Sequence, residues 1–188
     1  MYKSFFKRTI DVLASLSCII IFSPLFIIVG LIIFLQDMGN PFFKQKRVGL
    51  REKTFVLYKF RSMPLNTANV PSNEVSKIKI TPFGKFIRRS NLDELPQLFN
   101  ILTGDMSIVG PRPGLTTQLE LVALRREKNV YSCKPGLSGL AQVNSYDNMP
   151  ESEKAMWDGK YAKDVTFIND CKIILRTFVY LTKKPPTY

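Results

Sequence analysis

The sequence contains no histidine. That absence removes histidine triads, histidine–metal sites and imidazole acid–base chemistry, so any catalysis must run on Asp, Glu, Lys, Arg, Tyr, Ser or Cys. Cysteine is scarce: Cys18, Cys133 and Cys171 lie far apart and without metal-ligand spacing. They read as reduced thiols of a cytosol-facing protein rather than a disulfide framework. Acidic residues are also few, 15 against 27 Lys+Arg, which leaves a net charge of +12 on 188 residues. Such a surplus calls for an anionic partner, and nucleic acid, anionic lipid and phosphorylated substrates all qualify. Internal repeats and low-complexity tracts are absent, and the length suits a domain with a real core.

Charge is missing from one long stretch. From Ile10 to Leu35 the chain is almost wholly apolar, interrupted by Asp11 at its edge and Ser23-Pro24 at its middle. This length fits a membrane helix of about 20 residues, and it is too long for a signal peptide. Pro24 removes a backbone hydrogen bond, and the Ser23 hydroxyl can satisfy a freed carbonyl. A break there leaves halves of about a dozen residues, roughly 18 Å each, enough to enter the bilayer and return. Lys3, Lys7 and Arg8 precede the run, and Lys44, Lys46, Arg47 and Arg51 follow it. The positive-inside rule puts both flanks in the cytoplasm, as a re-entrant hairpin requires. A proline-kinked spanning helix is the other reading. The expected organisation is a re-entrant helix–break–helix anchor over 1–36 and a cytosolic domain over 37–188.

That domain reads as α+β, with a few short strands and amphipathic interfacial helices. Pro41-Phe42-Phe43 and Lys53 to Phe60 read as strands about a turn at Gly49, and 64–81 as a loop. Phe83, Phe86 and Ile87 beside Lys85, Arg88 and Arg89 form a basic amphipathic segment. Helices are expected over 115–129 and 170–184, and loops over 64–80 and 144–158.

Two carboxylates, Asp93 and Glu94, follow the basic pair Arg88-Arg89 at what reads as a helix start. Leu92, Leu95, Phe99 and Leu102 make one apolar helical face. Asn91 is a candidate N-cap with Glu94 as the acidic half of a capping box, whereas Pro96 favours a start nearer Asp93. At a helix N-terminus both carboxylates would be held ionised. The plain reading is a capped helix. The functional one is phosphoryl chemistry, with Asp93 as nucleophile at phosphorus and Glu94 as ligand for a hard cation such as Mg²⁺. Lys59, Arg61, Arg88 and Arg112 would neutralise phosphates, and Pro111 and Pro113 would stiffen the backbone around Arg112.

Together these stretches resemble the bacterial sugar transferases, specifically the small monotopic polyprenyl-phosphate phosphoglycosyl transferases of minimal, catalytic-domain type. The resemblance runs over Phe6-Lys7-Arg8, Asp11, Ser23-Pro24, 43–49, Tyr58 to Met63, Leu92 to Asn100, Gly104 to Pro113, Pro135 to Gly139 and Ala141 to Asn144. It implies a two-step transfer. Asp93 would attack the sugar-linked phosphate of a nucleoside diphosphate sugar, expected to be a uridine nucleotide, and release the monophosphate. The phosphosugar would then pass to polyprenyl phosphate, the first membrane step of glycoconjugate assembly, with Mg²⁺ at Glu94. Gln142, Asn144 and Asp158 match positions implied to bind substrate. The resemblance also implies a re-entrant anchor breaking at Ser23-Pro24 and seating on phospholipid at the cytoplasmic face of the bacterial inner (plasma) membrane. Downstream glycosyltransferases would take the product. One departure is Asn144-Ser145-Tyr146, where many members read Asn-Gly-Arg.

Two other readings stand beside this one. A non-catalytic, basic membrane-surface adaptor would use the same charge, and a spanning-helix phosphotransferase would differ in topology. Nucleic acid is not an expected partner, because no recognised nucleic-acid motif occurs. Nothing in the sequence names the sugar.

Overall fold

The computed structural model describes residues 2–64, 80–146 and 148–182. Helix and sheet are mixed, and one long apolar helix, α1 (Lys7–Asp37), leads the chain. It ends at Met38, whose left-handed backbone (φ 54°) lets its N–H reach Phe34 O. The expected break is not a gap in the helix, which runs through Pro24. Proline there leaves the Ile20 carbonyl without its i+4 donor, and Ser23 Oγ donates to that oxygen at 2.8 Å.

Both ends of α1 are tied to the rest of the protein. Near its start, Lys7 Nζ lies 2.5 Å from Asp170 Oδ2, and Asp11 Oδ1 accepts from Ser107 Oγ and the Ile108 N–H. Toward its far end, Val29 and Ile33 pack with Phe60 and Ile87, and Arg61 forks onto Asp37 at 2.5 and 2.6 Å. Between these ties Ile20, Ile21 and Ile27 are 64%, 68% and 70% exposed, an apolar belt with no protein cover.

β1 (Phe42–Val48) and β2 (Thr54–Phe60) form an antiparallel hairpin pairing Phe42 with Phe60 and Val48 with Thr54. The first strand is longer than the expected 41–43. Lys44 and Lys46 point to solvent while Gln45 and Arg47 are half-buried, so strand alternation is carried by charged residues. β3 (Ser107–Val109) runs parallel to β4 (Gly136–Ser138). Their backbones meet so closely that a Cβ on Gly136 would stand 2.0 Å from Gly110 N.

α2 (Pro82–Arg89) starts where expected, with Pro82 in its first turn and Thr81 Oγ1 accepting from the Gly84 N–H. α3 (Gln97–Thr103) is short. α4 (Leu119–Glu127) starts later than the expected 115, because Leu115 bridges antiparallel to Arg47. After the single turn α5 (Leu140–Val143), α6 (Glu151–Lys163) occupies much of the region read as a loop over 144–158. α7 (Phe167–Leu181) is capped by Thr166 and exposes Phe167, Ile168, Leu175 and Phe178. Three buried clusters join these elements. They centre on Leu57, Leu98, Ile101 and Met106, on Phe60 and Ile87 against α1, and on Val109, Tyr161 and Ile173. Loop 64–80 lies almost wholly outside the described residues.

Candidate active site

Asp93 and Glu94 do not open an α-helix. They sit on a 3-10 turn, Leu92–Glu94, entered through Asn91 at φ 55°, and α3 begins three residues further on. Asn91 makes no side-chain capping bond, and the Glu94 carboxylate turns to cations instead of completing a capping box. Lys59 Nζ reaches Glu94 Oε1 at 2.8 Å, while Arg112 forks onto both oxygens, with Nη1 3.2 Å from Oε2. Burial resists ionisation of Glu94, but Arg112 and Lys59 outweigh it and hold the carboxyl well below the usual carboxylate range.

Asp93 is different. It is buried, 8% exposed, and makes no side-chain hydrogen bond among the described residues. Burial pushes its carboxyl up to about 6, with Glu94 adding repulsion and Lys59, Arg88 and Arg112 pulling the other way. The helix-end argument expected both carboxylates to be favoured in the ionised form; for Asp93 desolvation opposes this and shifts the carboxyl upward. Two neighbouring acids are thus driven apart in acidity, one neutralised by cations and one kept basic.

Neighbouring elements set this geometry. Asn100, fully buried on α3, accepts the Tyr58 N–H at 3.0 Å and donates to Val56 O at 2.7 Å. It thereby locks α3, which follows the dyad, to β2 beside Lys59. Arg112 stands on the loop after β3, where the Pro111 carbonyl accepts from Gly136 N and the Pro113 carbonyl accepts from Arg47 Nη1. Desolvation of the half-buried Arg47, together with the Arg112 charge, brings its guanidinium down to about 10. Arg88, in the last turn of α2, has Nη1 buried without a partner among the described residues.

Lys59, Arg88 and Arg112 therefore surround the dyad, while other expected site residues are held elsewhere. Arg61 is committed to Asp37 at the end of α1. Gln142 donates to Leu137 O, and Asn144 bonds Leu140 O and Arg176. Asp158 is fully buried and accepts from Arg125 Nε and Nη2 at 2.9 and 2.6 Å. Arg47, Asn100 and Arg125 received no role from the sequence. The one available signal was Asn100, a polar residue on the α3 sequence that turns out to be buried.

Among the described residues, no three His, Cys, Asp or Glu side chains converge as a metal cage. Mg²⁺ usually keeps waters and needs only one or two protein carboxylates, so Asp93 and Glu94 are the residues that could hold one, Glu94 in competition with Lys59 and Arg112.

A family model described as bacterial sugar transferase matches residues 2–184. The chain is 37% identical, over 98% of its length, to an undecaprenyl-phosphate galactose phosphotransferase of Salmonella typhimurium. It is 35% identical, over 92% of its length, to a UDP-glucose:undecaprenyl-phosphate glucose-1-phosphate transferase of Klebsiella pneumoniae. It spans only 42% and 39% of those two proteins. An uncharacterized sugar transferase of Bacillus subtilis, EpsL, is 36% identical over 91% of this chain and 84% of its own length.

Proposed function

Because the chain belongs to the bacterial sugar transferase family, we propose that it transfers a sugar 1-phosphate from a uridine diphosphate sugar to polyprenyl phosphate. The observation that carries this is the split dyad: a basic Asp93, without a side-chain hydrogen bond among the described residues, beside a Glu94 already neutralised by Lys59 and Arg112. Asp93 attacks the sugar-bearing phosphorus; an Asp Oδ–P bond forms, the P–O bond to the nucleotide breaks, and the monophosphate departs with that electron pair. An oxygen of polyprenyl phosphate then attacks the same phosphorus and frees the Asp93 carboxylate. Arg88, with its unpartnered buried N–H, and Arg112 are the donors for phosphate oxygens, and Lys59 keeps Glu94 charged. Glu94 would be the residue to hold Mg²⁺, sharing its carboxylate with Lys59 and Arg112, and the ion would supply charge neutralisation for the departing phosphate.

The relatives' names support the substrate classes, since two of them specify undecaprenyl phosphate as acceptor. A re-entrant anchor is supported by its two tied ends. A crossing helix would carry one end to the far face, about 30 Å away, yet Lys7 and Asp37 both bond the same domain. The cytoplasmic face of the inner membrane follows from the positive-inside rule applied to those flanks. The uncovered apolar residues of α1 and α7 support seating in phospholipid, with residues 37–188 as the catalytic domain.

The test is a panel of nucleotide sugars with polyprenyl phosphate, read as nucleoside monophosphate release. One sugar should support turnover, and Asp93→Asn should abolish both release and any covalent phosphosugar adduct. Near-normal turnover by that variant would remove Asp93 as the nucleophile. No release across the panel would favour an adaptor.

A further inference from the structure

A second cluster of cations converges outside the dyad. It borders a groove of about 1000 Å³ between the start of α1, the turn after β1 and the segment leading into β4. Lys3, Lys7, Arg8, Arg51, Arg126 and Lys134 all line it, against the carboxylates Asp11 and Glu52. The partners can be followed individually. Lys7 is neutralised by Asp170 and Arg126 by Glu52, while Asp11 spends one oxygen on Ser107 and Ile108. Among the described residues Arg8 donates to the carbonyls of Ile101 and Leu102, where it closes the C-terminal end of α3. Neither Arg8 nor Lys134 forms an ion pair among the described residues.

These two side chains meet over Gly104. Its backbone is left-handed (φ +96°), and Arg8 Nη2 and Lys134 Nζ each lie 3.4 Å from where its Cβ would stand. Burial and the Arg8 charge lower the pKa of the Lys134 ammonium, opposed by Asp11 and Asp105. Like charges held together without a carboxylate between them form a ready receptor for an anion.

We propose that the Arg8–Lys134 pair, with Lys3 at its rim, binds a phosphate or phosphodiester group at a site separate from the transfer centre. A guanidinium and an ammonium converging across a gap suit phosphate oxygens, and the remaining groove leaves room for the rest of such a molecule. An anionic phospholipid headgroup is one source, since Arg8 belongs to the first turn of the anchor helix. A soluble phosphate compound is the other. The proposal does not rest on the transfer reaction.

The full chain in detergent micelles is titrated with short-chain phosphatidylglycerol, short-chain phosphatidylcholine and inorganic phosphate, and thermal unfolding gives the apparent affinity. Lys134→Gln loses a charge-assisted bond, so its affinity for the preferred anion should fall about tenfold. Lys134→Arg should keep it. Phosphatidylglycerol acting alone identifies a lipid site, and inorganic phosphate acting equally well identifies a soluble one. Titrations of Lys134→Gln that superimpose on the parent for every ligand overturn the proposal. So does a parent protein that responds to none of the three. Phosphate bound at the dyad is unaffected by this variant, which keeps the two sites distinguishable.

Discussion

Near neutral pH, Asp93 has just lost its proton, while Glu94 lost its own far lower on the scale. A carboxylate that titrates near 6 is a better base and nucleophile than an exposed one, and it remains largely ionised at working pH. In the free enzyme, kcat/KM for monophosphate release should therefore drop about tenfold per unit of pH below about 6. A profile flat through that region would dissociate Asp93 from the chemistry. The same shift has a consequence for stability. Folding raises the Asp93 value from 3.8 to about 6, so folding favours its protonated form. That contribution is fully present below 3.8 and is lost as pH rises through about 6. Asp93→Asn should consequently be more stable than the parent at pH about 7.5, by on the order of 1–3 kcal/mol, with little difference at pH about 4. Thermal melts at both values check this, and equal melting temperatures at the higher pH would contradict it.

At the scale of elements, the site depends on a side chain acting as backbone. Asn100 offers one acceptor and one donor to β2, so α3 docks on the strand as another strand would. Asn100→Ala leaves the Tyr58 N–H and the Val56 carbonyl unpaired and opens a small void. A loss of about 2–4 kcal/mol in denaturant unfolding is expected, together with reduced turnover as Lys59 loses its register with Glu94. An unchanged midpoint would show that solvent replaces both bonds. Little of this was legible. The apolar spacing of Leu92, Leu95 and Phe99 suggested a helix from the dyad onward, yet the turn at Asn91 and the ring of Pro96 delay α3 to Gln97. Only the start of β1 was legible at Phe42-Phe43, because Lys44 and Lys46 occupy its later solvent-facing positions. Where a strand is only half covered, charged residues can satisfy its outer face, and hydrophobic content then understates it.

For the whole molecule, the decisive feature is that both ends of one apolar helix meet the same body. If α1 enters and leaves by one face, single cysteines at residues 2 and 40, in a chain with its native cysteines replaced, should label from the same side of sealed vesicles. Labelling from opposite sides would establish a crossing helix and leave the ties at Lys7 and Asp37 unexplained. The +12 charge fits the same placement, with the leaflet and both proposed substrates all anionic.

By itself, the sequence determined the chemistry within reach. Lacking histidine and rich in Arg and Lys, with one apolar run and one acidic pair, it left phosphate chemistry at a membrane surface as the coherent reading. Such properties belong to residue types and short spacings, which survive without coordinates. Only the tertiary structure decided which cations are available. Arg61 looks like a phosphate ligand in a list of residues, yet Asp37 occupies it, while Lys59 and Arg112 converge on Glu94 and leave Asp93 without an ion pair among the described residues. The physical reason is that charge pairing and desolvation depend on neighbours distant in sequence. Burial sets the acidity of Asp93, and Lys59, Arg88 and Arg112 reach it only once β2, α2 and the loop after β3 have packed.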